Sequence, residues 1–138
     1  MKKTFALKKP ILIITCLVLS AVFFACGAPK RDEFGNVPIT SNWKLVSITT
    51  NGTKTDYKNE NPIIKIFVSG ASPKFKCDGS SCTLTIGKRA HNGTITGQAG
   101  EYVIDYSDSY KDMTATVSAD RLYLRDMDGK IEIVFEAK

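Results

Sequence analysis

Histidine is nearly absent from the chain, with His91 as its single example, and this scarcity limits the available chemistry. A serine-histidine-aspartate site would have to use His91, which lies in a polar segment, Gly87 to Gly93, that is typical of an exposed turn. The chain also lacks the Gly-x-Ser-x-Gly turn of many hydrolases and the glycine-rich loop that cradles phosphates. We therefore predict that the protein is not an enzyme, has no catalytic residues and needs no cofactor.

Acidic residues with the spacing of metal ligands are lacking as well. Asp105, Asp108 and Asp112 are close in sequence, but they do not follow the ligand order of an EF-hand. The segment Asp126 to Gly129 starts like a calcium loop and then stops, so a polar turn accounts for it. The sequence predicts no metal site.

Charge of one sign is also scarce once residues 1–25 are set aside. The full chain carries 19 basic and 14 acidic residues and a formal net charge of +5. The first 25 residues hold four lysines and no acidic residue, which leaves 15 basic against 14 acidic residues for the rest. Nucleic-acid binding needs a basic stripe, and Lys88-Arg89 alone does not make one. We therefore predict no nucleic-acid partner.

No apolar run reaches the roughly 20 residues of a membrane-spanning helix. The longest, from Pro10 to Ala25, has about 16 residues and follows the lysine pairs Lys2-Lys3 and Lys8-Lys9. A basic start, an apolar stretch and a small residue before a cleavage point are typical of an export signal. Because Cys26 follows directly, the segment resembles the signal peptide of bacterial lipoproteins.

This resemblance implies a lipidated cysteine. Ala25 and Cys26 match the end of the family's lipobox, whereas only five residues separate Cys16 from Pro10, too few for an apolar signal core. A lipoprotein cysteine carries at least a diacylglyceryl group, which gives stable attachment. The resemblance therefore implies an extracytoplasmic protein anchored to a bacterial membrane through covalent lipid at Cys26, and an ordinary cleaved signal is the alternative. We expect a signal peptide at 1–25, a flexible tether at 26–41 and one β-domain at 42–138.

Two further cysteines, Cys77 and Cys82, are separated by four residues. A two-residue turn at Gly79-Ser80 would place them opposite each other at a position without ladder hydrogen bonds, where α-carbons are close enough for a disulfide. Export to an oxidising compartment favours that bond. Free thiols are the alternative, and a metal site would lack two ligands.

Strands account for the rest of the chain, because apolar and polar residues alternate with a period of two. The turn sequence Asp126 to Gly129 joins the last two runs into a hairpin, and Asn51-Gly52 and Asn92-Gly93 are strong turn dipeptides. The run from Ile63 to Val68 is apolar at nearly every position and predicts a strand covered on both faces. The residues predicted to face inward are Trp43, Leu45, Leu84, Ile86, Tyr102, Ile104, Tyr106, Leu122, Leu124, Ile131, Ile133 and Phe135.

The first of these strands resembles a known opening. Asn42-Trp43-Lys44-Leu45 is similar to the Gly-x-Trp-x-Leu start of small lipocalin-like domains, and the final hairpin from Arg121 to Glu136 is similar to their ending. META-type domains, also found in bacterial lipoproteins, open in a related way. The resemblance implies an all-β fold, an antiparallel up-and-down meander of about eight strands that closes into a small lipocalin-like barrel.

Two functions follow from this fold. A lipocalin-like barrel implies a binding module for a small apolar or amphipathic molecule, at ligand-binding residues that the sequence does not identify. The predicted inward residues are bulky enough to fill a small barrel instead. In that case the alternative is a cell-envelope interaction protein, for example a protease or lysozyme inhibitor or a structural surface lipoprotein.

Overall fold

The computed structural model describes residues 30–57 and 72–138, which form strands and turns. The predicted signal, Cys26 and the predicted strand from Ile63 to Val68 lie outside these residues. The strands are β1 (Trp43–Thr50), β2 (Thr53–Asp56), β3 (Lys74–Cys77), β4 (Ser81–Ile86), β5 (Arg89–Gln98), β6 (Glu101–Tyr106), β7 (Met113–Ser118), β8 (Arg121–Asp126) and β9 (Ile131–Ala137). The two described ranges contain no helix long and apolar enough to cross a membrane.

The nine strands form one antiparallel sheet with the order β2-β1-β9-β8-β7-β6-β5-β4-β3. This arrangement confirms the predicted all-β meander. The sheet curls through 233° into a half-barrel, so the described strands do not form a clearly closed barrel. β1 and β3, which come from opposite sides of the opening, approach each other without pairing.

Alternation along each strand places the apolar side chains on the inner face of the curl. Every residue predicted to face inward belongs to the core or packs against it. Phe75 of β3 also belongs to this core, although its run is too short to show an alternating pattern. The inner face therefore follows the period-two pattern across the sheet.

A β-bulge in β1 changes the pattern at one point. Leu45 pairs with Phe135, but the next paired residue is Ser47, opposite Val134. The extra residue, Val46, shifts the alternation, so Ile48 and not Ser47 packs against the core.

Most turns lie where the sequence places them, with one exception. Asn51 and Gly52 both have positive φ, 49° and 82°, and join β1 to β2. The prediction of a turn at Asn92-Gly93 is wrong, because both residues lie within β5. A β-carbon on Gly93 would lie 2.6 Å from the carbonyl oxygen of Asp105, so the neighbouring strand requires glycine there.

The chain before β1 packs across one end of the sheet. Val37 and Ile39 are buried in the core, and the Val37 N–H donates to the carbonyl of Ala119 in the β7–β8 turn, at 2.8 Å. The indole nitrogen of Trp43 donates to the carbonyl of Ile39, also at 2.8 Å. Val37 and Ile39 thus pack on the sheet, although both fall within the predicted tether at 26–41.

Candidate functional site

The inner face, where a lipocalin-like protein would hold its ligand, is filled with side chains. The largest fully buried side chains on this face are those of Leu84, Ile104, Met113, Leu122, Leu124, Ile133 and Phe135. The rings of Phe75 and Phe135 lie 6.3 Å apart and span the interior between β3 and β9. Tyr106 also lies inside, where burial raises the pKa of its phenol and its hydroxyl donates to the Met113 sulfur at 3.9 Å. These side chains therefore pack against one another across the inner face of the described strands.

One end of the sheet carries the turns after β1, β4 and β8 and the loop 107–112 after β6, and we call this end of the sheet the loop end. A cavity lies there. The cavity has a volume of about 150 Å³ and is lined by Ser109, Tyr110, Lys111, Met113, Asp126 and Ile131. Pockets for small-molecule ligands usually have volumes of about 300–1,000 Å³. This cavity is therefore too small for a typical lipocalin ligand.

His91 ties the loop after β6 to the sheet. It lies in β5, so the prediction that it occupies an exposed turn is wrong. Its Nδ1 lies 2.7 Å from a carboxylate oxygen of Asp108, and its ring stacks on Tyr110 with centroids 4.1 Å apart. The Tyr110 backbone N–H and then His91 lower the pKa of Asp108, so the carboxylate accepts and Nδ1 donates.

His91 and Asp108 form a hydrogen-bonded pair of the kind found in catalytic triads, but the contacts around them attach the loop after β6 to the sheet. Tyr110 packs edge-on against Tyr106, with ring centroids 5.3 Å apart, which connects the loop to the core. The neighbouring Ser107 hydroxyl donates to the Asn92 carbonyl at 2.9 Å, so its proton is directed away from the imidazole. The cluster therefore holds the loop 107–112 in one conformation.

The charged side chains that line the cavity, Asp126 and Lys111, both make hydrogen bonds. The Asp126 carboxylate accepts the Ile131 N–H at 2.8 Å and shapes the β8–β9 turn. Lys111 donates to Asp128, a hydrogen bond that raises the pKa of the lysine and lowers the pKa of the carboxyl group. These contacts join the loop after β6 to the turn after β8, so the two segments form one continuous surface at the loop end.

The three aspartates that are close in sequence, Asp105, Asp108 and Asp112, do not converge in the structure. Asp105 is an exposed residue of β6 opposite Thr94, Asp108 binds His91, and Asp112 accepts the Tyr106 N–H at 3.2 Å. Within residues 30–57 and 72–138, no three acidic, cysteine or histidine side chains are placed to share a metal ion.

The two cysteines of the β3–β4 hairpin stand opposite each other, as their spacing predicts. The Asp78 carboxylate accepts the N–H groups of Ser80 and Ser81, and these bonds, led by the Ser81 N–H, lower its pKa to about 2. Cys77 and Cys82 are free thiols here, and burial raises the pKa of Cys82 to about 11. The facing register suits a disulfide, which stays a prediction.

We expect the exported protein to carry a Cys77–Cys82 disulfide. Neither cysteine should react with iodoacetamide until a reductant is added, as peptide mass spectrometry would report. The closed loop is short, so loop entropy predicts that the bond adds about 2 kcal/mol to the free energy of unfolding. Replacing both cysteines by serine should remove that increment. Alkylation of both thiols without reductant would contradict the bond.

Comparison of the chain with protein-family models, with curated proteins and with solved structures found no match.

Proposed function

We propose that this protein is a lipid-anchored extracytoplasmic lipoprotein whose β-domain is a small lipocalin-like barrel with a filled interior. On this proposal the signal at residues 1–25 is removed, lipid is attached to Cys26, and the domain acts through its surface as an interaction module of the cell envelope. The curl of the sheet and the approach of β1 to β3 support a barrel-like architecture.

The observation that carries the proposal is the packing of the inner face. Phe135, Leu122 and Leu124 have no exposed surface, and the same holds for Leu84 and Ile104 on strands farther along the sheet. A ligand of lipid size would have to displace these side chains, at the cost of the packing that stabilises the domain. An interaction at the surface needs no such change.

The position of the N-terminal segment indicates which surface of the domain is available to a partner in the cell envelope. Residues 36–42 lie at the end of the sheet that carries the β7–β8 turn, and the lipid attachment precedes them in the chain. The loop end is at the opposite end of the strands. It carries the exposed side chain of Met127 and the ordered contacts of His91 and Tyr110. A partner in the envelope can reach this end while the protein stays attached to its membrane.

A photo-crosslinking amino acid at Met127 tests this arrangement in intact cells. We expect a discrete crosslinked product from Met127 and none from the matched position Val103, an exposed apolar residue of β6 away from the loop end. The product should weaken in a Tyr110→Ala variant, because loss of the His91–Tyr110 stack frees the loop.

Equal crosslinking at both positions, or none at Met127, would count against a partner at the loop end. The small-ligand carrier is the alternative, although the cavity beside Tyr110 is smaller than the usual pocket for a small molecule. It makes a different prediction, since a lipophilic ligand at 100 times its dissociation constant would stabilise the folded protein by about 2.7 kcal/mol. Such stabilisation in a thermal-shift screen would favour the carrier.

A further inference from the structure

A short hydrogen-bonded loop precedes the segment that packs across the sheet. We call Arg31 to Asn36 the hook. The Asp32 carboxylate accepts the backbone N–H groups of Phe34, at 2.9 Å, and of Asn36, at 2.8 Å. Two main-chain bonds close the same loop: Asp32 N–H to the Asn36 carbonyl, and Gly35 N–H to the Asp32 carbonyl. Gly35 has a φ of 81°, which suits glycine at this turn.

The hook is fastened to the sheet at its far end. The Asn36 side-chain oxygen accepts the Ala119 N–H at 2.8 Å, and the Val37 N–H donates to the Ala119 carbonyl. Arg31 adds a bond from its guanidinium to the Gly35 carbonyl at 2.7 Å. The hook therefore has a defined conformation and a defined position beside the β7–β8 turn.

Phe34 is 65% exposed, more than Val103 and Met127, the other large apolar residues that are exposed within the described ranges. The contact that fixes Phe34 in the hook is made by its backbone N–H, which donates to the Asp32 carboxylate. The hook thus holds an aromatic ring in solvent without using it for packing. A ring held in this way loses little conformational freedom when something covers it.

The position of Phe34 in the chain indicates what covers it. Phe34 is the eighth residue after Cys26, and Lys30 is the fourth. A fully extended chain spans at most about 3.6 Å per residue, so lipid at Cys26 would hold Lys30 within about 14 Å of the attachment point and Phe34 within about 29 Å. The hook is consequently the part of the described domain nearest to the lipid in sequence.

We propose that the hook is a membrane-contact site, in which Phe34 enters the interfacial region of the bilayer that carries the Cys26 lipid. This inference rests on the lipid anchor of the proposed function and adds an orientation to it. The hook end faces the membrane and the loop end faces away. Phe is, with Trp and Leu, among the side chains that membrane-surface segments bury at the boundary between headgroups and acyl chains.

The charges of the hook determine the kind of membrane surface that it fits. The hook itself has one basic residue, Arg31, against Asp32 and Glu33, and with Lys30 included the segment 30–36 carries no net charge. Attraction to anionic lipid would need an excess of basic residues. The contact is therefore apolar, fits a zwitterionic surface and depends little on salt concentration.

Tryptophan fluorescence of the full-length lipidated protein in phosphatidylcholine vesicles tests the site. The test protein is Phe34→Trp, the matched control is Met127→Trp at the loop end, and the parent protein supplies the background of Trp43, which is buried. We expect the added emission of Phe34→Trp to be blue-shifted and quenched by lipids brominated near the headgroup. The added emission of Met127→Trp should remain at solvent wavelength and unquenched.

The mass of the purified chain shows whether Cys26 carries lipid, and this distinguishes failure of the membrane contact from failure of the anchor. If Cys26 is acylated and the added tryptophan of Phe34→Trp is not quenched, the membrane-contact site is wrong while the anchor stands, and a protein partner becomes the better explanation of the exposed ring. Equal quenching of both variants would overturn the orientation. If Cys26 carries no lipid, the proposed function fails, and the contact that depends on it fails as well. Matching urea transitions of the two variants would exclude misfolding as the cause.

Discussion

Replacing Cys26 by serine is expected to abolish lipid attachment and to release the protein from the membrane. The physical reason is that the predicted anchor is covalent and depends on one sulfur atom. Each buried methylene of an acyl chain contributes about 0.8 kcal/mol to membrane binding, and two chains together hold a protein stably. A hook with one exposed aromatic ring and no excess of basic charge cannot replace that energy. The variant should therefore be found in the soluble fraction of lysed cells.

Metabolic labelling with a radioactive or clickable fatty acid measures this effect directly. Cys16→Ser is the matched control, because Cys16 lies within the predicted signal and is discarded with it. Labelling should be lost in Cys26→Ser and unchanged in Cys16→Ser. Persistent labelling of Cys26→Ser would refute the assignment, and loss in the Cys16 variant would move the lipidation site.

Replacing Phe135 by alanine should cause the largest loss of stability among single core changes. The side chain is fully buried, its ring lies 6.3 Å from that of Phe75, and its residue pairs with Leu122 and Leu45 on the two neighbouring strands. Removing a buried phenyl group leaves a cavity and costs about 3–5 kcal/mol. For a domain of this size each kcal/mol lowers the melting temperature by about 4–8 °C. The predicted decrease is therefore about 12–40 °C.

Urea unfolding followed by the fluorescence of Trp43, the single tryptophan of the chain, measures the loss. Phe135→Leu retains part of the buried volume and should lie between the parent and the alanine variant, which keeps the test readable if the alanine variant does not fold. Val103→Ala, at an exposed position of β6, is the surface control and should change stability by less than about 0.5 kcal/mol. A loss of less than about 1 kcal/mol for Phe135→Ala would show that the inner face is not the packed core of the domain.

The inner face could be predicted because strands have a simple geometry. Successive side chains point to opposite faces, so the alternation around Leu122, Leu124, Ile133 and Phe135 already assigns them to one side. The facing of Cys77 and Cys82 could be predicted for a similar reason, since a two-residue turn determines the register of its hairpin.

Other features depend on contacts between residues that are distant in sequence. Asn92-Gly93 has the composition of a turn, but Gly93 lies where the backbone of Asp105 leaves no room for a β-carbon. His91 lies in a polar segment, yet Asp108, the carboxylate that binds it, is 17 positions further along the chain. Propensity describes neighbours along the chain and cannot report an approach of this kind.

The sequence by itself determined the class of the fold, the inward side chains and the predicted export and lipidation signal. Each of these depends on residues that are neighbours in the chain: a period of two, a turn dipeptide, or an apolar run before a cysteine. Only the tertiary structure decided that the inner face is filled, that Val37 and Ile39 belong to the core, and that the hook presents Phe34 at the end opposite the loops. These features depend on how far the sheet curls and on which distant turns its ends meet. Curl and distant contacts are properties of the whole set of strands, so no single segment contains them.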